Sequence, residues 1–313
     1  MKTVTLTYPL TGNEDQIPVQ RQIVAIGQFD GLHLGHVSVI QHAIELGRSQ
    51  GLPVAVLTFY PHPKEVMGKG DYEGYLTPLR DKEQILEQLG IDYLYVVEFT
   101  SAFSKVLPSD FVNGMLVPLK VATAVIGFDF RFGFMGEGTP EAIGPLSGGS
   151  IAVETIPAFL LDGEKVGSSG IRIALKAGDA EKAQRWLGRP YRVRGTVVGG
   201  DKRGRTIGFP TANVAPSGPY VLPAKGVYAV RFGLKDEIFE GVMNVGVKPT
   251  FTDGKVKPTF ETHLFDFDRS IYDEKVWMDF VRFIRPERKF SGIDELVAQI
   301  AKDAEEARAI LKG

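Results

Sequence analysis

The stretch Gly27-Gln-Phe-Asp-Gly-Leu-His-Leu-Gly-His36 decides how the first half of this chain is read. Before it, residues 23–26 (Ile-Val-Ala-Ile) form a short apolar run of the kind that makes a buried strand. After it, residues 37–50 carry apolar side chains at helical spacing, among them Val37, Ile40, Ala43 and Ile44. Two histidines and several glycines therefore fall where a strand turns into a helix. A helix start offers unpaired N–H groups and the positive end of the dipole, and both favour bound phosphate. Gly27, Gly31 and Gly35 allow a tight turn and the close approach of a ligand. His33 and His36 can donate hydrogen bonds to phosphate oxygens. The turn reads as a nucleotide site, although it is neither the GxxxxGK[ST] of a P-loop nor the GxGxxG of a dinucleotide fold. His-x-x-His is also compatible with zinc. A third ligand would have to come from afar, and the glycines suit phosphate better.

Working outward, strand candidates at residues 54–59, 93–99, 121–126 and 151–156 alternate with helical patterns. One helix is expected over 78–89, with Thr77 as its N-cap and Pro78 at the first helical position. Another is expected over 110–116, capped by Ser109. Val- and Ile-rich strands separated by helices predict a parallel sheet with helices on its faces, where ligands bind beyond the carboxyl ends of the strands. Two more loops leave strand ends there: Thr58-Phe-Tyr-Pro-His-Pro63 and Gly127-Phe-Asp-Phe-Arg-Phe-Gly133. A further segment, Gly167-Ser-Ser-Gly-Ile-Arg172, opens a helical pattern, and its hydroxyls and Arg172 suit phosphate.

The pattern changes near Leu187-Gly-Arg-Pro-Tyr191. Strand candidates at 191–198, 227–232, 239–245, 259–265 and 276–284 follow one another closely, joined by segments rich in Gly, Pro and Asp. They predict an antiparallel sheet or small barrel, closed by an amphipathic helix over 293–311. The domains expected are 1–187 and 188–313. Within the second lies Gly199-Gly-Asp-Lys-Arg-Gly-Arg-Thr-Ile-Gly-Phe-Pro-Thr-Ala-Asn213. A Gly-rich basic loop (Gly199, Lys202, Gly204, Gly208) can wrap nucleotide phosphates, or it can be a solvated hairpin tip. Thr211 and Asn213 supply neutral oxygens suited to a hard cation shared with substrate phosphates. Asn244 and Glu261 are polar groups in otherwise apolar strands.

These motifs identify a family by resemblance. Residues 27–36 resemble the GxFDGxHxGH signature of nucleotidyltransferases. With residues 58–63, 127–133 and 168–172 they look like the adenylyltransferase half of bacterial bifunctional riboflavin kinase/FAD synthetases. Gly208-Phe-Pro-Thr-Ala-Asn213, residues 243–251 and Glu261-Thr-His-Leu-Phe-Asp266 look like the riboflavin kinase half. The resemblance implies a Rossmann-like nucleotidyltransferase domain followed by a small β-barrel. It implies that riboflavin and ATP give FMN, and that FMN and a second ATP give FAD and pyrophosphate, with Mg²⁺ as the cation. By resemblance Glu261 is the general base of the kinase, Thr211 and Asn213 hold Mg²⁺ and phosphate, and Asn244 lies at the flavin. His33, His36, Ser168 and Arg172 would face ATP phosphates together with Gly27, Phe29, Asp30, Gly31 and Gly35. Asp129 and His62 would border the same pocket, His62 on the flavin side.

The first half departs from the family pattern in places. Gln28 stands where Asn is usual, and Phe128 where an acidic residue is common. Ser168-Ser169-Gly170-Ile171-Arg172, set against SSTxIR, puts Gly170 in the Thr position with one residue missing. This leaves a second reading, a riboflavin kinase whose N-terminal half binds nucleotide or flavin without turnover.

Composition narrows the remaining classes. The chain has 313 residues, 43% hydrophobic and 24% charged, ordinary values for a globular protein long enough for two cores. A formal net charge of -2 gives no bulk attraction to nucleic acid or to an anionic membrane, and neither partner is expected. The absence of cysteine excludes disulfides and thiolate chemistry and fits a reducing cytoplasm, the expected location. No apolar run reaches membrane-spanning length, and the first residues alternate like a strand rather than a signal peptide.

Overall fold

Strand β2 (Gln22–Ile26) is buried at every position, as its apolar run predicts. It lies inside a six-stranded parallel sheet with β1 (Lys2–Leu6), β3 (Val54–Tyr60), β4 (Tyr93–Glu98), β5 (Val121–Gly127) and β6 (Ala152–Ile156), in the order β1-β4-β3-β2-β5-β6. This computed structural model describes residues 1–10, 16–68, 72–200, 203–249 and 256–312, without the side chains at 203, 205, 248, 249, 256 and 257.

Alternate side chains of β2 serve the two faces of the sheet. Ile23 and Ala25 pack with Val39, Ile40, Ala43 and Ile44 of helix α1 (Leu34–Gln50) and Leu86 of helix α2 (Leu79–Leu89). Val24 and Ile26 face the opposite core, which holds Phe103, Phe111 and Met115 of the β4–β5 crossover. The chain winds from β2 through β3 to β4 on one side, while β5 and β6 lie on the other. The order therefore reverses between β2 and β5, and in such sheets the crevice at the reversal is where ligands bind.

Contacts divide the chain into two compact units: Met1–Tyr72 with Thr77–Gly167, and Glu73–Leu76 with Ser168–Gly313. The second contains α3 (Ser168–Lys176) and α4 (Ala180–Leu187), which ends on a left-handed Gly188. After them comes a closed antiparallel barrel of β9 (Tyr191–Val198), β10 (Ala212–Pro216), β11 (Gly226–Leu234), β12 (Glu237–Pro249), β13 (Val256–Leu264) and β14 (Lys275–Arg285). Between the sheet and α3 the chain makes the two-residue strands β7 (Leu160–Leu161) and β8 (Glu164–Lys165), which sequence patterning does not reveal.

The barrel is filled by the fully buried rings of Tyr191, Tyr228, Phe260 and Phe280, with Tyr228 and Phe280 edge to face at 5.1 Å. Outside, the last helix, α5 (Ile293–Lys312), lays Ala307 and Leu311 against Val227, Ala229, Val242 and Phe265. Its Asp303, 3% exposed, accepts a forked pair from Arg285 (2.9 and 2.6 Å) and a bond from Gln299 (2.7 Å).

Several sequence expectations need correction. The first helix begins at Leu34, three residues earlier than its apolar spacing shows, because His33 caps it. Thr77 is not the cap of α2: Pro78 occupies that place without a side-chain bond, and the Thr77 N–H donates to Asp30. Ser109 lies inside the turn Pro108–Phe111 rather than before it, and residues Val112–Leu116 continue as a π-helix. Strand β10, absent from the strand candidates, closes the barrel between β9 and β13.

Candidate functional site

The first site forms where β2 ends, beside the reversal of strand order. The turn leaves β2 through backbone that ordinary side chains avoid: Phe29 has φ 48°, Gly31 94° and Leu32 42°. Such a path persists only where surroundings hold it. The Gln28 carbonyl accepts from the Thr58 hydroxyl (2.9 Å) and from Lys82 Nζ (2.7 Å), and Gln28 Nε2 donates to the Phe59 carbonyl (3.1 Å). Asp30, 3% exposed, accepts the Thr77 N–H at 3.1 Å. Gly27 leaves room for the Phe29 ring, which a Cβ would meet at 3.1 Å.

His33 caps α1 by accepting the His36 N–H on Nδ1 at 3.3 Å. With Nδ1 an acceptor, Nε2 carries the proton of the neutral ring and is its donor. The His36 ring stacks on His33 at 3.6 Å between centroids, and Phe29 meets His36 edge-on at 5.3 Å. Gly35 lies under this stack, and a Cβ there would touch the His33 ring at 3.3 Å. Two imidazoles are thus fixed over the start of a helix.

The loops after β3 and β5 leave the two strands that flank β2, at the same edge of the parallel sheet. His62 accepts from the Lys64 N–H at 3.1 Å and starts the turn Pro63–Val66, with its ring 5.0 Å from that of Tyr72. Asp129 pairs with Lys165 of β8 at 2.8 Å, and the same ammonium lies 4.4 Å from the centre of the Phe128 ring. An aromatic–cation contact occupies the place where the family often has an acidic residue.

Ser168, Ser169 and Arg172 fall in the first turns of α3, which is counted with the second unit. The helix runs unbroken from Ser168 to Lys176. Counted back from Ile171-Arg172, the six-residue pattern SSTxIR covers residues 167–172. A hydroxyl residue, Ser169, then stands in the Thr position and Gly170 in the variable one. Gly170 has its own packing reason: a Cβ there would come within 3.0 Å of the Trp186 ring on α4.

The second site is written in strand register. Asn213 of β10 stands directly opposite Glu261 of β13, and Glu261 stands opposite Asn244 of β12. Residues paired this way share a face, with Cβ atoms about 4.5–5.5 Å apart. The neighbours Phe260, Thr262 and Leu264 are buried, so Glu261 and His263 take the other face. The result is a row Asn213–Glu261–Asn244 across three strands, and Asn244 Nδ2 reaches Glu287 Oε1 at 3.4 Å.

The Gly-rich segment folds onto the end of this row. Gly204, in the helical turn Arg203–Thr206, accepts the Phe209 N–H at 2.8 Å, and its Cα faces the Thr211 methyl. Gly200 stands so near Asn213 that a Cβ would meet the amide within 3.0 Å. Gly208 adopts φ 84°, a value that glycine alone takes freely. His263 holds the approach to Thr211 from the side: its Nδ1 is 2.9 Å from the Pro210 carbonyl, and its ring meets Phe209 edge-on at 5.2 Å. Gly199 has open space at its Cα. Lys202 and residues 250–251 lie outside the described residues.

Among the described residues no group of three His, Cys, Asp or Glu side chains converges to hold a metal. The oxygens of Asn213, opposite Glu261, and of Thr211, beside the glycine backbone, fit instead a hard cation that binds jointly with nucleotide phosphates.

Sequence reasoning missed Lys82. It is 3% exposed and donates to Gln28 O and to the Thr58 hydroxyl (3.0 Å). Burial pulls its pKa down to about 8, against the opposing pull of the Asp30 carboxylate. The signal was present: Lys82 lies three residues after Leu79 and four before Leu86, on the core stripe of its helix.

A parallel sheet with a capped glycine-rich turn at its reversal point, joined in one chain to a barrel bearing the row Asn213–Glu261–Asn244, points to a class: a transferase with two nucleotide-dependent sites. The comparisons with known proteins agree. The FAD synthetase family profile matches residues 16–170, and the riboflavin kinase profile matches residues 187–311. The bifunctional riboflavin kinase/FMN adenylyltransferase of Bacillus subtilis (strain 168) is 42% identical, over 98% of this chain and 97% of its own length. That of Escherichia coli (strain K12) is 38% identical, over 95% of each. A solved structure described as a macrolide-efflux protein from Streptococcus pneumoniae superposes with a TM-score of 0.86 at 31% identity, covering 98% of this chain and 99% of that one. No helix among the described residues is long and apolar enough to cross a membrane. The chain belongs to the bifunctional riboflavin kinase/FMN adenylyltransferase family. Both profiles and the bifunctional relatives favour two activities over a kinase alone.

Proposed function

We propose that the chain makes FAD from riboflavin in two ATP-dependent steps, the first at the barrel and the second at the sheet. The observation that carries this reading is that each of the two site-bearing segments matches its own enzymatic profile within one chain.

In the kinase step a ribityl hydroxyl of riboflavin attacks the γ-phosphorus of ATP, and ADP leaves. Such transfer depends on positioning and charge stabilisation. Glu261 takes the hydroxyl proton. Thr211 and Asn213 hold the terminal phosphates with a divalent cation, in this proposal Mg²⁺, which offsets phosphate charge when bound. Asn244, two strands from Asn213, orients the flavin chain. Glycine backbone at 199, 204 and 208 lets the loop close on the nucleotide.

In the adenylyl step an FMN phosphate oxygen attacks the α-phosphorus of ATP, and pyrophosphate leaves. The nucleophile is already an anion, so no base is needed. His33 and His36, with the N–H groups at the start of α1, stabilise charge moving onto the pyrophosphate. Asp30 keeps the turn in place through Thr77, and Asp129 and His62 border the pocket. We place the border between the two catalytic segments at residues 187 and 188, where the kinase profile begins and Gly188 ends α4. The substrates are riboflavin, FMN and ATP, and the proposed location is the cytoplasm, compatible with the lack of cysteine.

Two substitutions test the division of labour. Glu261→Gln removes FMN formation and leaves FAD formation from supplied FMN intact. His36→Ala does the reverse. A substitution that lowers both reactions equally contradicts the assignment.

A further inference from the structure

Lys82 is as deeply buried as Asp30 beside the first site, and neither proposed reaction uses it. Its contacts all lead to the turn. The ammonium donates to the Gln28 carbonyl at 2.7 Å and to the Thr58 hydroxyl at 3.0 Å, and that hydroxyl donates to the same carbonyl at 2.9 Å. A carbonyl oxygen has two lone pairs, and here both are taken. The peptide plane that follows Gln28 is thereby fixed, directly before the strained φ of Phe29.

Keeping an ammonium at 3% exposure costs desolvation energy, so a lysine is an expensive way to satisfy a carbonyl that the threonine already reaches. What the ammonium adds is a charge-assisted bond, stronger than a neutral one, and a positive charge beneath a turn built for phosphate. The Asp30 carboxylate acts on it through its charge, and Asp30 itself holds the far side of the turn through the Thr77 N–H. Gln28 and Asp30, two residues apart, are thus tied to the start and the approach of one helix, α2.

We propose that Lys82 is a positioning residue for adenylyl transfer, bracing the Gln28 carbonyl so that residues 29–36 hold the one conformation that presents their N–H groups and both histidines to nucleotide phosphate. This rests on the reading of that turn as the adenylyl site.

The test compares the wild-type chain with Lys82→Met and with Thr58→Val, a near-isosteric change that removes only the second donor. Conversion of supplied FMN to FAD is measured against ATP concentration, with riboflavin phosphorylation by the same samples as the control for an intact fold. Lys82→Met should lower kcat for FAD formation tenfold or more, with KM for ATP changed less than threefold and kinase turnover unchanged. Thr58→Val should lower kcat about threefold. A wild-type kcat in both variants, or a change confined to KM, overturns the proposal. Should Lys82→Met also lose kinase turnover through misfolding, Thr58→Val alone decides. Hydrogen exchange at the amides of residues 28–34 gives a reading independent of turnover. Faster exchange in the variants supports the brace even if the wild-type chain makes no FAD, which would contradict the adenylyl reading alone. Unchanged exchange overturns the brace.

Discussion

Gly170 lies flat against Trp186: a Cβ added to the glycine would come within 3.0 Å of the indole ring. The two residues join α3 to α4, and nothing but hydrogen fits between them. A glycine in the helix-opening segment is thus accounted for by a neighbour sixteen positions on. Gly170→Ala is expected to cost about 1–3 kcal/mol, the usual range for overpacking a tight contact. Pairing it with Trp186→Leu should recover part of the loss. Urea unfolding of the single and double variants measures the coupling, and additive losses would refute direct contact.

Lys82 makes stability depend on pH in a defined direction. Its folded pKa is near 8, below the 10.5 of an unperturbed lysine. Below 8 both folded and unfolded chains bind the proton. Between 8 and 10.5 the unfolded chain keeps it while the folded chain releases it, so the fold gains stability as pH rises through that window. At about 1.4 kcal/mol per unit, the gain is on the order of 3 kcal/mol across it. Urea unfolding at pH 7.5, 9 and 10 should show the wild-type chain gaining on Lys82→Met as pH rises. A constant difference between the two would show that Lys82 titrates normally.

Gly200 tests the kinase site without touching a charged group. A Cβ there would displace the Asn213 amide, the flexible end of a side chain, so the fold should tolerate it. Gly200→Ala is expected to lower kcat/KM for riboflavin phosphorylation roughly tenfold, or ~1.4 kcal/mol of transition-state stabilisation. FAD formation from supplied FMN should be unaffected. Steady-state kinetics of both reactions check this, and unaltered phosphorylation would remove Asn213 from the site.

The fork between Arg285 and Asp303 anchors α5 to the barrel. Asp303→Ala leaves a partly buried guanidinium without its carboxylate and should cost about 3–5 kcal/mol. Thermal unfolding should show that loss. A stability change below ~1 kcal/mol would mean that solvent replaces the carboxylate at no cost.

Much of this architecture was legible from the sequence. Strands β2 to β6 of the first half and the long strands of the second stand out because apolar, β-branched runs are bounded by glycine and proline. Strand β10 did not stand out, because Ala212-Asn-Val-Ala-Pro216 is short, carries a polar residue at its second position and ends on proline. The residues of the second site could be named singly, as polar groups in apolar strands. Their row, Asn213–Glu261–Asn244, comes from pairing between segments up to 48 residues apart in number, which no local pattern encodes. Lys82 shows the opposite case. Its place on the apolar stripe of α2 was visible, but a lysine there reads as a solvated side chain until the Gln28 carbonyl is found beneath it.

The central claim is that one chain carries both activities. Purified protein is incubated with riboflavin, ATP and Mg²⁺, and the flavins are separated by chromatography over time. FMN should appear first and FAD should then accumulate at its expense, with pyrophosphate released in step with FAD. FMN that accumulates without any FAD would contradict the account.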